Sequence, residues 1–221
     1  MKDFEFSFPT QIIFGADAEE KIGALSQKYG HRAMIIYGSE RIRNNGLYDR
    51  LAAKLKEYGV ISLPFGGIAE NPRLIKVDEG IALVRNNEID LLLAVGGGSV
   101  IDTAKAVAVI ANNPDNYDVV SLEGVDKSKN PQMPIIDVAT TAGTGSETTM
   151  DYVITNTEQK RKMACMDTMV VPVVAILDTD IMASLPLKMT AATAMDALTH
   201  AVESYLSKGA FDFSEMLSLK A

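Results

Sequence analysis

Cysteine and histidine are scarce in this 221-residue sequence, and each scarcity excludes a class of site. Cys165 is the single cysteine, so an intrachain disulfide and a metal site built from several cysteines are both excluded. Its simplest interpretation is a small buried apolar side chain. His31 and His200 are the only histidines, so a catalytic metal site built mainly from imidazole groups cannot be completed within this sequence.

The sequence also lacks an excess of basic residues and a long apolar run. Lys and Arg number 21 against 29 Asp and Glu, which gives a formal charge of -8 and makes nucleic-acid binding an unexpected main function. No apolar stretch approaches the roughly 20 residues that span a bilayer, and residues 1–6 lack the apolar centre of a secretory signal. We therefore expect a soluble, cytoplasmic globular protein without a membrane or nucleic-acid partner.

Short apolar runs alternate with helical patterns along most of the sequence, which predicts an α/β fold with a parallel sheet covered by helices. The predicted strands are 33–37, 61–65, 91–95, 134–138 and 173–177. The predicted helices are 47–58, one that begins at Asn71-Pro72, 102–111 and 188–206. Residues 4–8 alternate apolar and polar side chains, which predicts a half-exposed strand at a sheet edge, able to pair between subunits.

A change in composition and in secondary-structure pattern near residues 184–186 predicts a domain boundary. An α/β domain over 1–185 precedes a segment rich in Ala and Met, over 186–221, which has helical periodicity and no strand pattern.

The strongest single motif is a glycine loop, Gly96-Gly97-Gly98-Ser99, between a buried strand and a helix. Glycines let the backbone approach a pyrophosphate closely, and the first amide groups of a helix attract an anion. Ser99 adds a hydroxyl donor, and Asp102 and Lys105 follow on the helix. The motif matches neither the Gly-x-Gly-x-x-Gly fingerprint nor the nucleoside triphosphate loop, so on this segment alone a simple tight turn is the alternative.

A second polar loop, residues 139–147, follows the strand predicted at 134–138. It contains two glycines, four hydroxyl side chains, among them Thr140, Thr141 and Thr144, and one carboxylate. Open α/β sheets bind ligands at the carboxyl ends of their strands, although a turn that caps a helix would have a similar composition. Because both loops follow strands of one domain, a shared ligand explains them better.

Asp196 and His200 lie four residues apart in a predicted helix, so they share one face. A carboxylate and an imidazole at this spacing can hold one divalent cation. A hydrogen-bonded pair at a domain junction is the alternative.

The segments 96–105, 140–147 and 195–201 together resemble, in their order, the three signatures of the iron-containing (group III) alcohol dehydrogenases. Ser121-Leu122-Glu123-Gly124 and Tyr152-Val153-Ile154-Thr155 are most similar to the lactaldehyde (1,2-propanediol) reductase branch. Tyr37-Gly38-Ser39, followed by residues 45–49, is more similar to the butanol dehydrogenase branch. The resemblance to alcohol dehydrogenases is favoured over glycerol dehydrogenases and dehydroquinate synthases by residues 140–147.

The resemblance implies a Rossmann-like dinucleotide-binding domain over 1–185 and the start of an all-helical metal-binding domain over 186–221, with the active site between them. It implies a homodimer that interconverts a small primary alcohol or diol with its aldehyde, using NAD or NADP and Fe²⁺, alternatively Zn²⁺, as a Lewis acid. Asp196 and His200 would be two of four metal ligands. The implied cofactor-binding residues are Ser39, Gly96, Gly97, Gly98, Ser99, Asp102, Thr140, Thr141, Thr144 and Lys162.

Two departures from the family pattern bear on function. Ser39 stands where members that prefer NAD carry an Asp, and with Arg41 and Arg43 nearby this favours NADP, although Glu40 argues for NAD. The other two metal ligands of the family are histidines further along, and this sequence ends before them, so we expect a truncated chain. The alternative function is a dinucleotide-binding domain without catalytic activity.

Overall fold

A computed structural model describes residues 3–113 and 117–221, and its main feature is a parallel six-stranded sheet in the order β1-β9-β6-β4-β2-β3. Every pairing in this sheet is parallel, as expected where helices connect the strands. Its strands are β1 (Gln11–Gly15), β2 (Arg32–Tyr37), β3 (Ile61–Phe65), β4 (Leu91–Gly96), β6 (Ile135–Ala139) and β9 (Val174–Asp178). The predicted α/β fold class is confirmed.

Helices connect these strands and cover both faces of the sheet. They are α1 (Ile22–Tyr29), α2 (Arg41–Asn44), α3 (Leu47–Glu57), α4 (Leu74–Asn86), α5 (Gly98–Ala111), α6 (Thr179–Ala183), α7 (Leu187–Leu206) and α8 (Asp212–Lys220). Two short 3-10 turns lie at Ala18–Lys21 and Ser146–Thr148. Within the two described ranges, no helix combines the length and the apolarity that crossing a bilayer requires.

The central strands β2 and β4 are apolar on both sides because both sides are buried. Met34 and Leu92 belong to a core cluster with helices α4 and α5. Ile35 and Leu93 point the other way and belong to a second cluster with α1 and α3. This double coverage explains why the strand 91–95 is a continuous hydrophobic run rather than an alternating one.

A three-stranded sheet in the order β5-β8-β7 was not predicted. Its strands are β5 (Gly124–Val125), β7 (Asp151–Asn156) and β8 (Arg161–Met166), and the last two pair antiparallel. Tyr152, Ile154 and Met163 place this sheet against α5 in the first core cluster. The signal that the sequence did contain is the run Tyr152-Val153-Ile154-Thr155, whose residue types favour extended structure.

The strand predicted at residues 4–8 is wrong. This segment forms no strand, and its aromatic side chains pack on the last helix: the ring centroids of Phe4 and Phe211 are 4.5 Å apart, and those of Phe6 and Phe213 are 4.7 Å apart. The edge strand is β1, which follows it and pairs with β9. Phe4 and Phe6 thus pack at the start of α8, while Phe8 stacks on Phe6.

Candidate functional site

The turn from β4 into α5 is the centre of the candidate site. The helix begins at Gly98, four residues earlier than the predicted start at Asp102, with Gly97 as its N-cap residue. Gly97 has no side chain to cap the helix, and no side-chain hydrogen bond caps it. The first amide groups of α5 therefore point toward the carboxyl edge of the sheet, in the arrangement that binds phosphate.

A cavity of about 610 Å³ opens over this turn, at the carboxyl ends of β2, β4 and β6. Its lining contains eight of the ten predicted cofactor residues: Ser39, Gly96, Gly97, Gly98, Ser99, Thr140, Thr141 and Thr144. Residues 38 and 39, 96–99 and 140–144 follow three neighbouring strands. The parallel register of the sheet is what brings these distant segments together.

The glycine loop (residues 96–99) and the threonine loop (residues 139–147) are in direct contact. A Cβ atom at Gly97 would lie 2.7 Å from Thr141 Oγ1, and one at Gly98 would lie 2.9 Å from Thr144 Cγ2. Such distances are shorter than van der Waals contact, so the missing side chains are what allow the threonines to pack on the glycine backbone. The two loops thus form one continuous wall of the cavity.

The two arginines near Ser39 have different surroundings. Arg41 lines the cavity, and its backbone N–H lies 3.4 Å from Ser39 Oγ. Its guanidinium donates to the carbonyl oxygen and, at 3.2 Å, to the hydroxyl of Ser184. Arg43 instead donates to Tyr37 Oη at 2.7 Å and lies 4.0 Å from the centroid of the Tyr48 ring. Arg41 is therefore the arginine at the cavity.

Asp102, a predicted cofactor residue, lies outside the cavity lining. Its carboxylate accepts a hydrogen bond from Ser146 Oγ at 2.8 Å and another from the Val153 N–H at 3.1 Å. Burial raises its pKa, and these two hydrogen bonds act in the opposite direction. The contacts join α5 to the end of the threonine loop and to β7.

Lys105 makes a second connection one turn further along α5. It is fully buried, and its ammonium donates to the carbonyl oxygens of Thr149 at 2.8 Å and Asp151 at 2.9 Å, with the Ser146 and Thr149 hydroxyls also within 3.3 Å. Burial lowers the pKa of Lys105, while the nearby Asp137 and Asp102 act to raise it. In the sequence this lysine is recognisable only as a neighbour of the glycine loop.

Asp137 on β6 is a fully buried carboxyl group under the same wall. Neither of its oxygens has a hydrogen-bond partner among the residues that the structure describes. Burial raises its pKa well above the usual range, and the positive charge of Lys105 acts in the opposite direction. No sequence pattern singles out this group, because Asp137 lies within an otherwise apolar strand.

Lys162, the other predicted cofactor residue outside the lining, is exposed on β8 opposite Thr155. The described residues include no hydrogen bond or ion pair of its side chain to the cavity wall. The structure therefore does not bring Lys162 together with the other predicted residues.

Asp196 and His200 lie one turn apart on α7, as predicted. His200 Nε2 is 3.7 Å from Asp196 Oδ1, and the two side chains are 57% and 44% exposed, so both are accessible. Among the described residues, no group of three or more His, Cys, Asp or Glu side chains is arranged to hold a metal ion. The pair can supply two ligands, and the chemistry of a carboxylate with an imidazole suits Fe²⁺ or Zn²⁺.

Helix α7 also contributes to the cavity, a contribution that was not predicted from the sequence. Met189 and Thr193 line the cavity, and they lie on the same face of the helix as Asp196 and His200, since the successive spacings are four, three and four residues. The helix therefore runs from the cavity wall to the predicted metal pair. No local sequence signal could have identified Met189 and Thr193, because their role follows from the packing of α7.

Comparison with known families gives a match over most of the chain. The family model described as "Iron-containing alcohol dehydrogenase" matches residues 9–179. The family expected from the three sequence signatures is confirmed by this match.

Individual relatives agree with the family match. The chain is 38% identical over 203 residues to lactaldehyde reductase of Escherichia coli K12, covering 90% of this chain and 53% of the relative. It is 37% identical to NADH-dependent butanol dehydrogenase A of Clostridium acetobutylicum, covering 94% of this chain and 53% of that relative. The solved structure of a 1,3-propanediol oxidoreductase superposes with a TM-score of 0.93 at 35% identity, covering 99% of this chain and 57% of that one. The chain spans about half the length of the curated relatives it matches.

Proposed function

The chain belongs to the iron-containing alcohol dehydrogenase family, and from that premise we propose that it binds a nicotinamide dinucleotide for hydride transfer between a small primary alcohol or diol and its aldehyde. The observation that carries this proposal is the wall formed by the glycine and threonine loops beside the uncapped start of α5. A dinucleotide needs a donor-rich site for its pyrophosphate and a cavity of a few hundred Å³ for its other groups, and this cavity supplies both.

The proposed cofactor contacts follow from the cavity lining. The amide groups at Gly98 and Ser99 would hold the pyrophosphate, with the Ser99, Thr140 and Thr141 hydroxyls as further donors or acceptors. Ser39 lies at the end of β2, where a ribose hydroxyl is held in dinucleotide folds. Asp102, outside this lining, supports the wall through Ser146, and Lys162 stays a proposal based on family resemblance alone.

The proposed metal residues are Asp196 and His200. Their exposed oxygen and nitrogen atoms fit a divalent cation, and they would supply two of its ligands. The chemistry that Fe²⁺ supplies in such a site is Lewis-acid polarisation of the alcohol or carbonyl oxygen, and Zn²⁺ is the alternative ion. Because α7 carries both the pair and the cavity residues Met189 and Thr193, the same helix would bring substrate and cofactor together.

The preference between NAD and NADP depends on the end of β2. Relatives are named as NADH-dependent, and we propose that this chain uses NAD and also accepts NADP. Ser39 provides no carboxylate to repel a 2'-phosphate, and Arg41 lies in the cavity lining to attract one. Arg43 does not contribute to this preference, since it is held between Tyr37 and Tyr48.

The remaining parts of the proposal rest on the sequence and on family resemblance. They are a dinucleotide-binding domain over 1–185 followed by part of a helical metal-binding domain over 186–221, a homodimer, and a cytoplasmic location. The second candidate function is a dinucleotide-binding domain without catalytic activity. It is favoured by one observation: the described residues offer a metal two ligands where a catalytic site commonly has three or more.

Titration of the chain with NADH and NADPH tests the proposal directly. We expect enhanced nicotinamide fluorescence and a calorimetric heat, both abolished by Gly98→Asp, which places a carboxylate at the start of α5. The absence of both signals in the unaltered chain would contradict dinucleotide binding. Aldehyde-dependent oxidation of NADH, measured with added Fe²⁺ or Zn²⁺, then separates the two candidate functions, because only the dehydrogenase predicts turnover.

A further inference from the structure

The threonine loop packs closely on α7 at Gly143. A Cβ atom at this position would lie 2.6 Å from the carbonyl oxygen of Thr193, 2.9 Å from its Cβ and 3.1 Å from its carbonyl carbon. Two of these three atoms belong to the backbone of α7. A rotamer change therefore cannot relieve the overlap, and a side chain at residue 143 would require the helix or the loop to move.

The contact at Gly143 matters for the position of α7 because neither this helix nor α8, on which it packs, has a buried residue. The Thr193 hydroxyl bonds within the helix itself, to the carbonyl oxygens of Met189 at 3.0 Å and Thr190 at 3.2 Å, so it makes no bond to the loop. The packing of the Gly143 backbone on the carbonyl group of Thr193 thus sets how near α7 comes to the cavity wall.

The same contact sets the place of the metal pair relative to the cavity. Asp196 lies three residues after Thr193, about 4.5 Å further along the helix axis, and His200 lies about 10 Å further. Both share the face of Thr193. An outward displacement of α7 at Thr193 would carry Asp196 and His200 with it, away from the threonine loop and away from any cofactor lying against that loop.

We propose that Gly143 is a positioning residue, which holds α7 against the threonine loop so that a divalent metal at Asp196 and His200 lies within reach of the nicotinamide ring. The inference rests on the proposed function, since it assumes a dinucleotide in the cavity and a metal at the pair. Gly143 touches neither ligand. It affects the distance between the metal and the nicotinamide ring, and hydride transfer is sensitive to errors of about 1 Å in such a distance.

The test uses Co²⁺ as a divalent probe and the fluorescence of bound NADH as the readout, which needs no turnover. Co²⁺ bound near the nicotinamide ring quenches its emission in a distance-dependent manner. In the unaltered chain we expect quenching that is lost in Asp196→Ala. In Gly143→Ala we expect NADH still to bind, because residues 96–99 are untouched, and quenching to be lost or strongly reduced.

Gly145→Ala is the matched control in the same loop. Gly145 has a φ of +66° and no atom within 4 Å of its added Cβ, so alanine there strains the loop without touching α7. We expect it to retain the quenching. Equal quenching in Gly143→Ala and the unaltered chain would overturn the role of Gly143, as would a loss of NADH binding in Gly143→Ala alone.

The proposed function fails in a different way. If Co²⁺ quenches the fluorescence of NADH bound to Asp196→Ala as strongly as that of NADH bound to the unaltered chain, the metal does not bind at Asp196 and His200. The proposed role of Gly143 is then also wrong. If NADH does not bind to the unaltered chain, the cofactor site is wrong. Neither result resembles the selective difference between Gly143→Ala and Gly145→Ala that the positioning role requires.

Discussion

The carboxylate of Asp102 accepts a hydrogen bond from the Ser146 hydroxyl at 2.8 Å, and this bond joins α5 to the end of the threonine loop. The other carboxylate oxygen accepts from the Val153 N–H at 3.1 Å. Asp102 therefore links three segments that are separate in sequence: the helix behind the glycine loop, the threonine loop and β7.

Replacement of Asp102 by Ala should lower the free energy of unfolding by about 1–3 kcal/mol, because two largely buried donors lose their acceptor. Asp102→Asn keeps one acceptor oxygen and should cost less. Urea denaturation measures both effects, and Glu5→Gln at an exposed position serves as the control. Equal stability of Asp102→Ala and the control would show that the bonds to Ser146 and Val153 contribute nothing.

The contact between the two loops predicts a pair of compensating substitutions. Gly97→Ala should destabilise the fold by about 1–3 kcal/mol, because its Cβ would overlap Thr141. Thr141→Ala removes the two nearest atoms and leaves Cβ at 3.5 Å, an ordinary contact. The double variant should therefore have a higher melting temperature than Gly97→Ala alone. Additive losses in the double variant would argue against the overlap as the cause.

The buried carboxyl group of Asp137 predicts an unusual pH dependence. Burial raises its pKa well above the usual range, so the folded protein binds this proton more tightly than the unfolded chain does. Its contribution to stability is complete below the unfolded pKa and is lost as the pH rises through the folded pKa. Asp137→Asn removes the ionisation.

Stability of Asp137→Asn, relative to the unaltered chain, should therefore increase as the pH rises from acidic to neutral values. Urea denaturation over this pH range gives the measurement. A difference between the two proteins that stays constant with pH would mean that the Asp137 carboxyl does not titrate in this way.

The end of β2 predicts a shift in cofactor preference. Ser39→Asp should weaken NADPH binding relative to NADH by about tenfold or more, because a carboxylate at this position repels a 2'-phosphate and can accept from ribose hydroxyls. Arg41→Ala should shift the ratio in the same direction. Arg43→Ala is the control, since Arg43 is held by Tyr37 and Tyr48. The ratio of the two dissociation constants, from fluorescence titrations, is the measurement, and a shift in Arg43→Ala alone would reverse the assignment of the two arginines.

The sequence predicted the features that depend on local chemistry. Continuous apolar runs such as 91–95 identified the buried parallel strands, because a strand covered on both faces has apolar side chains at every position. The glycine and threonine loops were recognised because both follow strands of one domain, which favoured a shared ligand over two separate turns. The two loops together located seven of the residues that line one cavity, and Ser39 was added by the family resemblance.

The features that the sequence did not reveal depend on packing between distant segments. Residues 4–8 alternate apolar and polar side chains as a strand does, but the rings of Phe4 and Phe6 pack on aromatic rings at the start of α8. The roles of Asp102 and Lys105 could not be distinguished, because both follow the glycine loop, and only the folded chain shows that Asp102 bonds to Ser146 and Lys105 to the backbone of 149–151. The contact of Gly143 with Thr193 likewise has no local signature.

The absence of any buried residue on α7 has a consequence for the dynamics of the chain. Helix α7 packs mainly on α8, which has no buried residue either, and such a helix pair opens at a lower free energy than the elements packed in the core. The amide protons of α7 should therefore exchange with solvent long before those of β4, where every residue is buried. Asp196 and His200 would then lie on a segment that opens independently of the sheet. A ligand that contacts both α7 and the sheet would stabilise the closed state and slow the exchange of the α7 amide protons.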